Sequence, residues 1–139
     1  MWYNTRKMVV SSHSNYIFEV NDWRGRIVRL TKATFEKHTK RHLEFVNYIE
    51  AAKQTIKDPD FVAEADNGAL ALFRFGLGDK PFERLYLQVI VYYNKGEGRE
   101  ATHHFVTKLG DLRLIETRYL CVAGSRIRLV GESNERPTK

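Results

Sequence analysis

The chain has 139 residues, 42% of them hydrophobic and 12% aromatic, which is enough for one domain with a buried core. Its 23 lysines and arginines exceed its 17 acidic residues, and the net charge of +6 favours a polyanionic partner, nucleic acid above all. The single cysteine excludes an intrachain disulfide and a cysteine-based zinc site, and without a signal peptide or a run of about 18 apolar residues we expect a cytoplasmic protein with no membrane partner.

The first predicted element is a β-hairpin. Residues 16–20 and 26–30 are short runs rich in β-forming residues, and residues 21–25 between them have the composition of a turn. The residues just before the hairpin have loop composition. We therefore expect an N-terminal segment over residues 1–15 and a folded domain that begins at residue 16.

A helical pattern follows the hairpin, from about residue 32 to residue 57. Thr31 precedes it as a good N-cap, since its side-chain oxygen can accept from the first turn. One long helix and two helices separated by a break at residues 39–43 both fit the pattern. Asp58-Pro59-Asp60 ends it, because proline disfavours helical geometry in the preceding residue. The residues that recur at spacings of three and four are Phe35, His38, His42, Phe45, Ile49, Ala52 and Ile56, with Val46 widening the stripe.

The second half of the chain is predicted to be β-sheet. Residues 61–65 and 69–75 read as two strands joined at Asp66-Asn67-Gly68, a strong hairpin signal. Residues 84–93 form the clearest strand, with Leu85, Leu87, Val89 and Val91 on one face. Its partner covers residues 99–108. Weaker strands are expected at residues 112–115, 119–122 and 127–130.

These elements predict an α+β domain over residues 16–131, in which an N-terminal hairpin and one or two helices pack on an antiparallel sheet. Residues 132–139 are polar and are expected to be a disordered tail.

Two histidines lie four residues apart in the predicted helix. Because residues at i and i+4 share a helical face, His38 and His42 should point into the same space, beside Arg41. Imidazoles that titrate near neutral pH among cations suit proton transfer at a phosphate. Two alternatives stay open. The pair can cover the apolar seam between helix and sheet, or it can bind a metal ion with a strand histidine, although no obvious carboxylate ligand accompanies it.

The segment from Gly25 to His42 resembles a known family pattern. Gly25-Arg26-Ile27-Val28-Arg29-Leu30-Thr31, then Phe35, His38, Arg41 and His42, is similar to G-x-x-V-x-L-T-x-x-x-W-x-H-I-x-x-R-H-P-E. This pattern is typical of the phage-type barnase–EndoU–colicin–RelE-like nucleases, which share the BECR fold. The resemblance extends over residues 16–108 through a helix that ends in Asp-Pro-Asp and strands that carry Arg74 and Thr102.

The chain departs from this pattern at three positions. Phe35 replaces a tryptophan, Thr39 an aliphatic residue, and Leu43 a proline. Both histidines and Arg41 are retained.

The resemblance implies a small metal-independent endoribonuclease without a cofactor, often a toxin restrained by an antitoxin or immunity protein. In such cleavage the ribose 2′-hydroxyl attacks the adjacent phosphorus, a base accepts its proton, and an acid protonates the leaving 5′ oxygen. His38 and His42 are the acid–base candidates. The RNA substrate, such as tRNA or mRNA, is left open.

One strand histidine is expected to complete the site. Because neighbouring strand residues face opposite sides, only one of His103 and His104 can join it. We predict His104, with Thr102 as its hydrogen-bond partner, and interpret His103 as a satisfied core or edge histidine. A site between helix and sheet would reverse this choice. The candidates for phosphate and RNA binding are Arg41, Arg74, Lys108 and Tyr86.

A second function fits the same residues. A non-catalytic module that binds RNA or a protein partner would keep the fold and the basic charge but not the reaction. RNA binding without turnover would distinguish it from the ribonuclease.

Overall fold

A computed structural model of the chain describes residues 15–40, 43–122 and 124–129. The predicted tail and all of the predicted N-terminal segment except Asn15 lie outside these residues. The elements in chain order are β1 (Tyr16–Asn21), β2 (Ile27–Thr31), α1 (Lys32–Thr39), α2 (Leu43–Asn47), α3 (Ile49–Lys57), β3 (Phe61–Glu64), β4 (Leu70–Phe75), β5 (Tyr86–Asn94), β6 (Glu97–Val106), β7 (Arg113–Thr117), β8 (Tyr119–Val122) and β9 (Ser125–Arg128).

The fold is α+β, as predicted. All seven strands expected after residue 60 are present, and their bounds differ from the predicted ones by no more than two residues. The predicted N-terminal hairpin is also present, since β1 and β2 pair antiparallel. In the described residues, no helix is long and apolar enough to cross a membrane.

One sheet contains seven of the strands, in the order β1-β2-β6-β5-β4-β3-β7, and β8 and β9 form a separate two-stranded ribbon. The prediction of an antiparallel sheet with the hairpin packed on it was wrong in one respect. The hairpin forms the first two strands of the sheet itself, and β2 pairs with β6 in parallel. The helices between these strands make this possible, because a crossover returns the chain in the same direction.

The predicted helical run is divided into three short helices. Thr31 caps α1 as predicted, since its side-chain oxygen accepts a hydrogen bond of 3.1 Å from the amide of Thr34. The chain leaves helical geometry again at Tyr48, between α2 and α3. Val46 was expected to widen the apolar stripe but is 39% exposed, whereas its neighbour Phe45 takes the core-facing position on α2. The helical run ends before Asp58, as predicted.

The main core lies between the helices and one face of the sheet. Leu87, Val89 and Val91 of β5 are fully buried there, as their alternation predicted. Phe45 of α2 and Ile56 of α3 pack against the same face. We call the opposite side of the sheet the outer face.

The outer face is covered over only part of its area. The connection from β6 to β7 crosses it, and Leu109 and Leu112 of that connection pack in a second cluster with Ala63, Ala71 and Phe73. The cluster covers the part of the outer face formed by β3, β4 and the first half of β5. None of the other described residues covers the part formed by β1, β2, β6 and the end of β5, which we call the open part of the outer face.

The sheet is strongly curved. The indole nitrogen of Trp23, in the turn between β1 and β2, donates a hydrogen bond of 3.1 Å to Glu116 of β7. These strands lie at opposite edges of the sheet. Twist and curvature therefore bring the two edges into contact around the helices.

Candidate functional site

The structure does not bring together the histidines that were predicted to share one site. His38 stacks on the ring of Phe45, with centroids 5.1 Å apart, on the helix side of the sheet. His104 is exposed and pairs with Gln88, whose side chain points to the outer face. His38 and His104 therefore lie on opposite sides of the sheet and cannot act on one phosphate.

The other catalytic and phosphate-binding candidates are dispersed. Arg41 and His42 lie outside the described residues, so their assignment stays a prediction. Thr102 is half-buried and pairs with Ile90, which puts it on the outer face with His104. Lys108 is exposed in the connection after β6. Of the predicted set, Thr102 and His104 thus share one surface.

Arg74 has partners on the helix side. Its Nη1 atom lies 3.5 Å from the carbonyl oxygen of Gln54 and 4.0 Å from the carboxylate of Asp58. Burial lowers the pKa of the guanidinium. These contacts fix the end of α3 to β4, a structural role that the sequence did not suggest.

Tyr86 packs within the second cluster. Its ring lies edge-on to Phe61 and Phe75, with centroids 5.7 and 5.2 Å away, and burial raises the pKa of its hydroxyl. Tyr86 was a candidate for RNA binding, and in the structure its ring is held between two aromatic neighbours.

His103 is a satisfied core histidine, as interpreted from the sequence. It is 3% exposed, its Nδ1 contacts Oε2 of Glu100, and its Nε2 lies 2.9 Å from the carbonyl oxygen of Phe45. Its ring also stacks on Phe45, with centroids 4.0 Å apart. Because a carbonyl oxygen only accepts, Nε2 is the donor in its contact with Phe45. The pair fastens α2 to β6.

Sequence reasoning missed the partner of His103. Glu100 is fully buried, although residues three apart in a regular strand face opposite sides. The register of β5 and β6 shifts between Ile90 and Val91, and this bulge places Glu100 and His103 on the same face. A bulge of this kind leaves no clear signal in a single sequence.

A second polar cluster surrounds Asp60, which is fully buried. The guanidinium of Arg126 donates to its Oδ1, and the amide of Phe75 donates to Oδ2 over 2.9 Å. The thiol of Cys121 lies 3.4 Å from the same oxygen. Burial and the Asp60 carboxylate raise the pKa of Cys121 to about 12, so the thiol is a poor nucleophile at neutral pH.

The rest of this cluster ties the β8–β9 ribbon to the sheet. Asp58 lies 3.3 Å from Arg118 and 3.0 Å from Arg126, and the Arg126 guanidinium stacks 3.5 Å from the centroid of Tyr119. We call Asp58, Asp60, Arg118, Tyr119, Cys121 and Arg126 the Asp60 cluster. Each guanidinium in it already has a carboxylate partner, so the cluster is structural.

The open part of the outer face contains a cleft with a volume of about 320 Å³. We call it the outer cleft. Its lining combines arginine, tyrosine and amide side chains: Tyr16, Arg29, Thr31, Tyr92, Asn94, Glu97, Gly98 and Arg99.

Strand pairing explains why these residues meet. Glu19 pairs with Arg29, Arg29 with Arg99, and Arg99 with Tyr92, which forms one row across β1, β2, β6 and β5. The close approach of β2 to β6 requires a glycine at position 98. A Cβ atom there would lie 2.9 Å from side-chain carbons of both Val28 and Tyr93.

Arg29 is held in place by two carboxylates. Its Nε donates to Glu19 over 2.6 Å and its Nη1 to Glu97 over 2.8 Å, while its guanidinium lies 5.0 Å from the ring centroid of Tyr16. The hydrogen bonds to Glu97 and Glu19 raise the pKa of Arg29. The residue is a fixed positive charge at the side of the cleft.

Arg99 differs from Arg29 in having no such partner. It is exposed, and no carboxylate oxygen of the described residues lies within 4.0 Å of its nitrogen atoms. A guanidinium that keeps all five donors available is well suited to a phosphate or carboxylate ligand.

Only a partial signal for the outer cleft is present in the sequence. The alternation of β5 placed Tyr92 on the outward side, but nothing in the spacing linked it to Arg29 or Arg99. That link depends on the parallel pairing of β2 with β6, over 60 residues apart in the chain.

No metal centre is evident in the part of the chain that the structure describes, where no three histidine, cysteine or acidic side chains are placed to share an ion. No protein-family model, no curated protein and no solved structure shows a significant match to the chain. The outer cleft is therefore the best-supported candidate site on the geometry of this chain alone.

Proposed function

We propose that the protein binds single-stranded RNA on the open part of its outer face, with the outer cleft as the main contact. The observation that carries this proposal is the exposed Arg99, which has no carboxylate partner among the described residues and lies between the fixed charge of Arg29 and the ring of Tyr92. Arginine binds phosphate through paired donors, and aromatic rings on a sheet stack with bases.

Other features of the same surface support an RNA ligand. Tyr16 is 41% exposed at the cleft, and Thr102 and His104 continue the polar surface along β6. The net charge of +6 adds long-range attraction to a polyanion. A single strand is favoured over a duplex because stacking on a tyrosine requires an accessible base face.

The test is a titration of labelled single-stranded RNA, followed by fluorescence anisotropy. Arg99→Ala is expected to weaken binding about tenfold, or roughly 1.4 kcal/mol, and to lower the slope of log K against log salt by about 0.7 for the lost phosphate contact. Arg113→Ala is the matched control, since it removes the same charge from the exposed β7 strand. Equal affinities for wild type and both variants would contradict the proposal.

Metal-independent ribonuclease activity is the second candidate. It is supported by the resemblance to BECR nucleases and by the exposed His104, which lies with Thr102 on the same face as the outer cleft. Since His38 lies across the sheet, acid–base chemistry would centre either on His104 or on the segment from His38 to His42. An antitoxin-like partner would be expected in the toxin form of this function.

Incubation of mixed RNA with the protein in EDTA tests this candidate. Cleavage that leaves 2′,3′-cyclic phosphate ends would support it. Loss of that cleavage in His42→Ala, or instead in His104→Ala, would identify which face acts. RNA binding with no cleavage between pH 5 and pH 8 would leave the binding function alone.

A further inference from the structure

The charges of the outer cleft limit the ligand it can take. Three charged side chains line it: Arg29, Arg99 and Glu97. Two of the donors of Arg29 are occupied by Glu19 and Glu97, whereas Arg99 has no carboxylate within 4.0 Å among the described residues. The described part of the lining thus offers one cation without a carboxylate partner, Arg99, with the carboxylate of Glu97 close by.

This arrangement suits a singly charged phosphate better than a doubly charged one. A phosphodiester inside a nucleic acid chain carries one negative charge, while a terminal phosphate monoester carries nearly two at neutral pH. The first charge is matched by Arg99. In the described part of the chain, no second unpaired cation lines the cleft to meet a second charge, and Glu97 would repel it.

The size and the row of side chains indicate a single nucleotide. A volume of about 320 Å³ is near the lower end of the range for ligand pockets, roughly 300–1,000 Å³. Tyr92 and Arg99 are direct cross-strand partners, so their Cβ atoms are about 4.5–5.5 Å apart. A base stacked on Tyr92 would have its own phosphate within reach of the Arg99 guanidinium.

We propose that the outer cleft is a one-nucleotide subsite for an internal phosphodiester of single-stranded RNA, and that it discriminates against terminal phosphate monoesters. The inference rests on the proposed RNA binding and adds the ligand class. Arg99 binds the diester and Tyr92 stacks with the base. Glu97 orients Arg29 and repels a second negative charge on the phosphate, a restriction that we call the charge limit.

Competition against a labelled RNA oligonucleotide tests the charge limit. The competitors are uridylyl-uridine, which holds one phosphodiester, and uridine 5′-monophosphate. At pH 7.5 the dinucleotide is expected to compete about tenfold better. At pH 5 the difference should shrink, because the monoester, with a second pKa of about 6, then carries a single charge.

A variant separates the role of Glu97 from the general properties of the competitors. Glu97→Gln removes the repelling charge and releases a donor of Arg29, so the monophosphate should approach the dinucleotide in affinity at pH 7.5. Glu64→Gln is the matched control, because Glu64 holds Arg113 in a similar exposed pair, 2.6 Å apart, on the far edge of the sheet. The control should keep the wild-type preference.

Each outcome decides one of the two proposals. Equal or better competition by the monophosphate with the wild-type protein, while the oligonucleotide still binds, would overturn the subsite and leave RNA binding intact. An unchanged preference in Glu97→Gln would also overturn the assigned charge limit. Absence of oligonucleotide binding itself would overturn the proposed function.

Discussion

The Asp60 cluster and the outer cleft are built from the same residue types and serve different purposes. Both combine arginines, tyrosines and carboxylates, and in both an arginine lies near a tyrosine ring. In the Asp60 cluster the central carboxylate is fully buried and Arg118 and Arg126 each have a carboxylate partner. In the outer cleft Arg29 is paired in this way, whereas Arg99 is not.

The difference shows that composition does not distinguish a structural cluster from a binding surface. Pairing does. A guanidinium whose donors are bound to internal carboxylates stabilises the fold, and one that the fold leaves unpaired and exposed is available to a ligand. Variants of the two regions should therefore change different quantities, the free energy of unfolding in one and RNA affinity in the other.

The largest effect is expected from Asp60→Asn, on the free energy of unfolding. The variant keeps the shape of the side chain but removes the charge that binds Arg126, and breaking a buried pair in this way costs about 3 kcal/mol or more. Urea unfolding should show this loss, while the RNA affinity of the folded protein stays unchanged.

Asp66→Asn is the control for that variant. Asp66 is exposed in the turn between β3 and β4. The free energy of unfolding of the Asp66→Asn protein should therefore stay within about 0.5 kcal/mol of the wild-type value. A loss of RNA affinity in Asp60→Asn, measured under conditions in which the variant is fully folded, would contradict the separation of the two regions.

The reactivity of Cys121 is the next largest expected effect. Its pKa is raised from 9.0 to about 12, by burial first and then by Asp60, so at pH 8 very little thiolate is present. Alkylation by iodoacetamide should be about a hundredfold slower than for a free cysteine, with allowance for the partial exposure of the thiol. In urea the rate should become that of an ordinary cysteine, and a fast reaction of the native protein would show that Asp60 does not protect the thiol.

The strands and the two ends of the helical run could be predicted because their causes are local, whereas the break at Tyr48 was not predicted. Alternation placed Leu87, Val89 and Val91 in the core, Thr31 capped α1, and the helical run ended where Pro59 required it. The parallel pairing of β2 with β6 depends on a crossover of three helices and three strands, and no local pattern encodes it.

The candidate site was less predictable for the same reason. The spacing of His38 and His42 predicted a shared helical face, which stays a prediction because His42 lies outside the described residues, and it could not show which side of the sheet His38 meets. The strand alternation assigned His103 and His104 to opposite faces correctly, while the bulge that buries Glu100 was not visible. Arg29 and Arg99 become neighbours only through the parallel pairing.

Arg29→Ala is expected to have a smaller effect, which should appear in both the RNA affinity and the free energy of unfolding. The variant leaves Glu19 and Glu97 without their cation, so two uncompensated carboxylates remain near Arg99 and RNA affinity should fall about tenfold. The free energy of unfolding should fall by less than about 1 kcal/mol, because exposed ion pairs contribute little. Anisotropy and urea unfolding measure the two changes. A large loss of stability with normal affinity would place Arg29 with the structural arginines of the Asp60 cluster.

The smallest effect on RNA affinity is expected from Arg99→Lys. This variant tests whether position 99 binds phosphate through paired donors or only through its charge. Lysine keeps the charge but loses the planar pair of donors that fits a phosphate, so RNA affinity should fall about threefold, less than in Arg99→Ala. The salt dependence should stay as in the wild type, since the number of neutralised phosphates is unchanged. Arg113→Lys, on the far edge of the sheet, should alter neither quantity. If Arg99→Lys binds as the wild type does, Arg99 acts as a point charge, and the outer cleft then holds a phosphate without fixing its orientation.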